Sequence, residues 1–245
     1  MKTTLRFLFF GSALALTACG SIKTKDRNVE LTGQVRRAAV VGFMADLPAR
    51  SGISLSGNSG EVSGKAGGSM ITKESPQTDS MLKEISKAFG QRLKWSMLDT
   101  AKLPENPSYQ EAYKKTMEGF QNKFPPGAGS NRFMVAKFMD FDSLRILPQA
   151  DREKLMRDLK VDAVIATKVD VVLNGTTVMG VGNRYPQSKV FFQVFKMGQA
   201  NPIWFETLDG KEMEESIGKT GLTLDEEKAA NLALISLKDG LSKLQ

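Results

Sequence analysis

Any chemistry in this chain has to be built without histidine and with one cysteine, Cys19. That removes Ser-His-Asp and Cys-His nucleophiles, imidazole acid–base work and zinc sites made of His and Cys. The suggestive spacings that remain are few. Ser80-Met81-Leu82-Lys83 sets an amine one helical turn from a hydroxyl it can deprotonate, and Lys219-Thr220-Gly221 resembles the strand segment that accompanies such a pair. The middle segment of that kind of site is missing, so both read as surface. Asp140-Phe141-Asp142 places two carboxylates on one side of an extended segment, the start of a hard-cation site, yet nothing nearby in sequence completes six oxygen ligands. These read as solvated acids at a strand end. Ser59 to Ala66 lacks the first Gly and the terminal hydroxyl of a phosphate-binding loop. Trp95, Tyr109, Tyr113 and Trp204 offer rings for stacking, but their helical and alternating spacing reads as core. No catalytic, metal or cofactor residue is assigned, and the expectation is a protein that is not an enzyme.

Cys19 itself carries the clearest chemistry. Lys2 and Arg6 mark the start, and an apolar run from Leu5 to Leu16, broken only by Arg6, Gly11 and Ser12, leads into Leu16-Thr17-Ala18-Cys19. A positive start, a short apolar core and small residues at a cleavage point make an export signal. The apolar core falls short of the ~20 residues that span a bilayer. Leu-Thr-Ala-Cys matches the bacterial lipobox. That resemblance implies a mature chain beginning at Cys19, with a diacylglycerol thioether on its sulfur and an acylated amino terminus. Several acyl chains at about 0.8 kcal/mol per buried CH₂ make a nearly permanent anchor. Gly20, where lipoproteins kept at the inner membrane carry Asp, favours the outer membrane by analogy, with the body facing the periplasm.

The rest of the chain must position whatever this anchor serves. It has 245 residues, 41% of them apolar and 25% charged, enough for one substantial core. Removing Lys2 and Arg6 lowers the formal charge from +7 to +5, with basic and acidic residues interspersed. An exported chain meets little nucleic acid, so none is expected as partner. The domain reading is a signal peptide over 1–18, a flexible tether over 19–34 and a globular body over 35–245. The fifteen residues after Cys19, Gly20 to Gln34, reach up to about 50 Å.

Within the body, Val35 to Phe43 reads as a first strand covered on both faces. The stretch from Ser51 to Ser69 holds six glycines and reads as a mobile loop. Ser75-Pro76 starts a helix with Leu82, Ile85, Phe89 and Leu93 on one stripe, and Asn106-Pro107 starts another inside an expected helical insertion over 104–131. Arg132 to Phe138 reads as a strand, Pro148 to Leu159 as a helix with Leu155, Met156 and Leu159 inward, and Val161 to Leu173 as a strand. Lys189 to Lys196 and Pro202 to Leu208 complete an antiparallel meander. A capping box at Thr223 and Glu226 opens a last helix. The economical solution is an α+β fold, an α/β sandwich: a mixed, mostly antiparallel sheet with helices packed on it, in a single domain.

Val40-Val41-Gly42-Phe43 before a long amphipathic helix, Lys160-Val161-Asp162-Ala163-Val164-Ile165 after a short one, and Gly198…Ile203-Trp204-Phe205…Gly210 closing the meander resemble the curli-secretion lipoprotein family. They are also similar to penicillin-binding-protein activator lipoproteins and to the amino-terminal domain of the Tol-system periplasmic protein. The resemblance implies the same fold. Gly42, where these first strands often have Pro, and the segment 104–131 depart from it, and no stretch alternates for the ten or so residues that a pore hairpin needs. The leading expectation is therefore a binding or assembly module held to the membrane by lipid on Cys19. Its partner would be an envelope protein or cell-wall component. The loops bounded by Ser51 and Ser69 and by Gly175 and Pro186 are the candidate partner-binding segments. One alternative is a homo-oligomeric curli-type secretion or assembly component, and another is an envelope hydrolase using two carboxylates.

Overall fold

In a computed structural model, the described residues are 25–48, 76–117, 130–133, 135, 137–175, 183–217 and 226–245. A seven-stranded mixed sheet forms the centre. Its strands are β1 (Lys25–Arg27), β2 (Arg37–Pro48), β3 (Ser96–Met97), β4 (Ser130–Phe133), β5 (Ala163–Asn174), β6 (Tyr185–Lys196) and β7 (Trp204–Asp209). They run in the order β1-β7-β6-β5-β2-β3, with β4 paired to β2. Only β2–β3 and β2–β5 are parallel, so the sheet is mostly antiparallel. The fold is α+β in a single domain, as its periodicities predict.

Alternation along the strands sends two sets of side chains to two helical layers. One layer is α2 (Pro76–Leu93) with α6 (Glu226–Ser242). Against it lies an aromatic knot. Phe192 meets Phe89 edge-on at 5.2 Å and Trp204 at 4.8 Å, while Phe89 stacks on Trp95 at 6.0 Å. Farther along β6, buried Ser188 donates through its backbone N–H to Ser236 Oγ at 2.9 Å and through its hydroxyl to Ala233 O at 2.7 Å, fixing α6 on the sheet. The second layer holds α3 (Pro107–Met117), α4 (Ser143–Ile146) and α5 (Gln149–Leu159). Tyr109 keys α3 into the core: its hydroxyl donates to Val41 O at 2.8 Å and accepts from Met139 N at 2.9 Å. The expected insertion is thus integral to the body, as far as its described residues 104–117 and 130–131 go. Trp95, Tyr109 and Trp204 are all buried, as their spacing predicts.

Two expectations change. The tether does not run free to residue 34. Lys25, Asp26 and Arg27 pair with Glu206, Phe205 and Trp204, and α1 (Val29–Gly33), capped by Asn28, carries the chain across the sheet end to β2. The exposed edge of β7 supplies unmet backbone partners, and Arg27 lies 4.1 Å over the Trp204 ring. The strand expected over 132–138 is also cut short, because Lys137 takes a left-handed φ of 56° before Met139 bridges to Gly42. Gly42 is needed there: a Cβ would stand 2.5 Å from the carbonyl oxygen of Asp140.

Candidate functional site

The sequence-derived positions distribute unevenly. Cys19, Ser51 and Ser69 lie outside the described residues, as do Ser59 to Ala66 and Lys219-Thr220-Gly221. Gly175 ends β5 at φ +122°, where a Cβ would meet Asn183 O at 2.2 Å. Pro186 is not a loop residue but the second residue of β6, opposite Leu173. Its carbonyl accepts from Met213 N on the side away from β5, so the N–H that proline lacks is not one the β5 ladder uses. Ser80 and Lys83 share α2.

Asp140 and Asp142 do not face a common cation. Asp140 is fully buried, its Oδ1 accepting from Ser143 N at 2.8 Å and Ser143 Oγ at 2.9 Å, while Asp142 sits at the surface beside Arg145. Asp140 thus satisfies the first N–H of α4 from two residues ahead of the helix's N-cap, Asp142, whose own side chain makes no cap bond. Asp140 Oδ2 has no hydrogen-bond partner. Burial pushes this carboxyl up to about 6, against the two bonds from Ser143. Among the described residues no group of three or more Asp, Glu, Cys or His is arranged to hold a metal.

Nor do two acids meet as a proton donor and its partner in the clefts of the second layer. Glu111 and Asp151 approach each other between α3 and α5, but Lys115 stands 3.2 and 3.3 Å from them and Lys154 stands 3.1 Å from Glu111. Hydrogen bonds from the two lysines hold Glu111 below the ordinary carboxylate range, the wrong direction for a general acid. The space there is only about 10 Å³.

A cleft of about 230 Å³ opens instead between α4–α5 and the turn joining β6 to β7. Arg145, Arg152, Gln193, Phe195, Asn201 and Phe205 line most of it. Arg152 belongs to the helical stripe of Leu155, Met156 and Leu159, so α5 drives it inward with them. It is 5% exposed, and no carboxylate among the described residues pairs with it. Its guanidinium lies 4.7 Å over the Phe195 ring and donates to the carbonyls of Leu144 at 3.0 Å, Leu147 at 2.7 Å and Ala200 at 2.6 Å. Burial lowers its pKa, against the field of Glu153, yet an arginine keeps its charge. Arg152 Nε and Gln193 Oε1 make no hydrogen bond. The cleft is therefore lined by two arginines and the rings of Phe195 and Phe205, with the unpartnered Arg152 Nε and Gln193 Oε1 buried behind its surface. The sequence reading names only Leu155, Met156 and Leu159 as inward; the spacing 152, 155, 156, 159 is the signal that could have added Arg152.

A third feature is ionic. Lys168 reaches Asp46 at 3.1 Å and Asp170 at 2.7 Å on the sheet face not covered by α2 and α6. Burial opposes the Lys168 charge, but the bond to Asp170 and the field of Asp46 outweigh it and raise the pKa. The set places one cation between two carboxylates, each acid has an ionic partner within it, and it reads as structural.

No family model matches the chain, and no curated protein matches it. Solved structures do resemble it. Lipoprotein GNA1162 from Neisseria meningitidis is 11% identical with a TM-score of 0.35, over 74% of this chain and 86% of that one. PelC from Paraburkholderia phytofirmans, solved as a dodecamer, is 9% identical with a TM-score of 0.31, over 90% and 96%. Hypothetical protein CT253 from Chlamydia trachomatis is 10% identical with a TM-score of 0.34, over 84% and 97%. The likeness is loose and concerns the fold alone. Among the described residues no helix is long and apolar enough to cross a membrane.

Proposed function

We propose that this protein is a non-enzymatic binding module, anchored by lipid on Cys19 to the outer membrane and facing the periplasm. In this reading the cleft beside Arg152 receives an anionic group of an envelope protein or cell-wall polymer. Anchoring rests on Leu16-Thr17-Ala18-Cys19 at the end of the leader. Binding rests on one structural observation, a buried arginine with no carboxylate partner among the described residues, at the wall of an open cleft. An incoming carboxylate or phosphate gains a charge-assisted contact there and orders little else. Confinement at the membrane raises the concentration of the module at its partner.

Two variants test the two halves. Cys19→Ala releases the protein from membranes sedimented at high salt, where charge-only contacts are screened; continued sedimentation there contradicts anchoring. For the cleft, a photo-crosslinking residue at Asn201, in intact cells, joins the protein to one envelope component, and Arg145→Glu abolishes the adduct at unchanged protein level. An adduct indifferent to the reversed charge contradicts the anionic-group reading.

A further inference from the structure

One end of the sheet, where β2 and β5 begin and β6 turns into β7, gathers cations that the fold does not neutralise. Segments 27–37, 93–97, 159–163 and 195–202 meet there. Asp162 accepts from the backbone N–H of Arg36 at 2.8 Å and Arg37 at 2.9 Å, Ser96 N donates to Arg36 O at 2.8 Å, and Met197 N donates to Asp162 O at 3.0 Å. These segments hold six Lys and Arg residues against two acids, Glu30 and Asp162. Asp162 is occupied by backbone. Arg27 lies on Trp204, and the other five, Arg36, Arg37, Lys94, Lys160 and Lys196, have no ion pair among the described residues. Elsewhere on the body Lys115, Lys154, Lys168, Lys211, Lys228 and Lys238 each have an acid within 4 Å, and cations without one among the described residues, such as Lys83, Lys87, Lys102 and Lys114, are spread over three separate helical segments.

Two further details single out this end. Lys94 and Lys160 follow α2 and α5 at φ 58° and 55°, positions where Gly or Asn sits with less strain. Val29, 72% exposed, projects from α1 at the same end.

The path of the chain selects which end can face a bilayer. Lys25 stands opposite Glu206, which stands opposite Phe192, and from there β6 extends seven residues the other way to Tyr185, about 23 Å. Six links from Cys19 to Lys25 span at most about 20 Å, too short for the Tyr185 end to lie on the membrane. The basic end is about two residues, or 7 Å, from Lys25, well inside that reach.

We propose that this basic end is a membrane-docking face: Arg36, Arg37, Lys94, Lys160 and Lys196 meet the phosphates of anionic phospholipids, with Val29 at the interface. The orientation rests on the reading that Cys19 carries lipid; the surface itself does not. The test uses the mature chain with Cys19→Ala, which has no acyl chains, and phosphatidylcholine vesicles with or without equimolar phosphatidylglycerol. The protein binds the anionic vesicles, ignores the neutral ones, and comes off as salt rises. Lys94→Asn, Lys160→Asn and Lys196→Gln together weaken binding about a hundredfold, at about fivefold per cation. The two Asn replacements suit the left-handed backbone, so folding is preserved. Lys83→Gln, Lys87→Gln and Lys238→Gln remove the same charge from the α2–α6 face and leave binding within about twofold, as charges beyond a Debye length are screened. Absence of binding to anionic vesicles, or equal loss in the two triple variants, overturns the proposal. Lipidation is read separately, from the mass of the native amino-terminal peptide, so the two ideas fail independently.

Discussion

Asp140 shows how one residue links burial to pH. Its carboxyl titrates near 6 in the folded protein and near 4 when unfolded, so between these values the folded state holds the extra proton. Stability from this residue is therefore complete below about pH 4 and is lost as pH rises through 6, by about 3 kcal/mol in total. Asp140→Asn keeps an oxygen for Ser143 and never ionises. Chemical denaturation of both proteins between pH 4 and 7 tests this: the variant gains on the parent as pH rises, and parallel curves contradict it. The sequence made Asp140 look like a solvated acid because its neighbours are a strand end and a second aspartate. The informative sign was Ser143 three residues on, a spacing at which a carboxylate can accept from a backbone N–H. Arg152 is the parallel case, a charge that its helical stripe could have assigned to the interior.

Among the elements, β1 has the largest consequence for its size. Three residues hold it to β7 through backbone pairing, Lys25 with Glu206 at 2.9 Å, and Arg27, which covers Trp204 and donates to the carbonyl of Gln245. Arg27→Ala is expected to cost about 1–2 kcal/mol in denaturant unfolding and to strip hydrogen-exchange protection from β1. Full retention of that protection shows that the clamp lies elsewhere. A polar stretch of three residues has no periodicity to read, and its pairing is decided by an edge strand 180 residues away, so β1 was illegible as sequence. By contrast α2, the start of α3 and the β5–β6–β7 meander were legible, because each carries its own apolar period and Pro or Gly punctuation, although β6 begins four residues before the expected Lys189. The parallel pairing of β2 with β5 is marked in sequence only by the unbroken apolar run Ala38-Ala39-Val40-Val41, which says that β2 is covered on both faces and not which strand lies beside it.

At the scale of the whole molecule, the pairing of Lys25–Arg27 with β7 replaces the long free tether that the polar composition of residues 19–34 suggests. In the proposed function the body is thereby held close to its membrane, and that placement rests on Cys19, which no packing argument reaches. The intact mass of the native protein, extracted from envelopes in detergent, tests this most directly. The account predicts loss of residues 1–18 and the added mass of a diacylglycerol and an acyl chain on Cys19. A mass showing the leader retained, or a cleaved chain with an unmodified thiol, contradicts it.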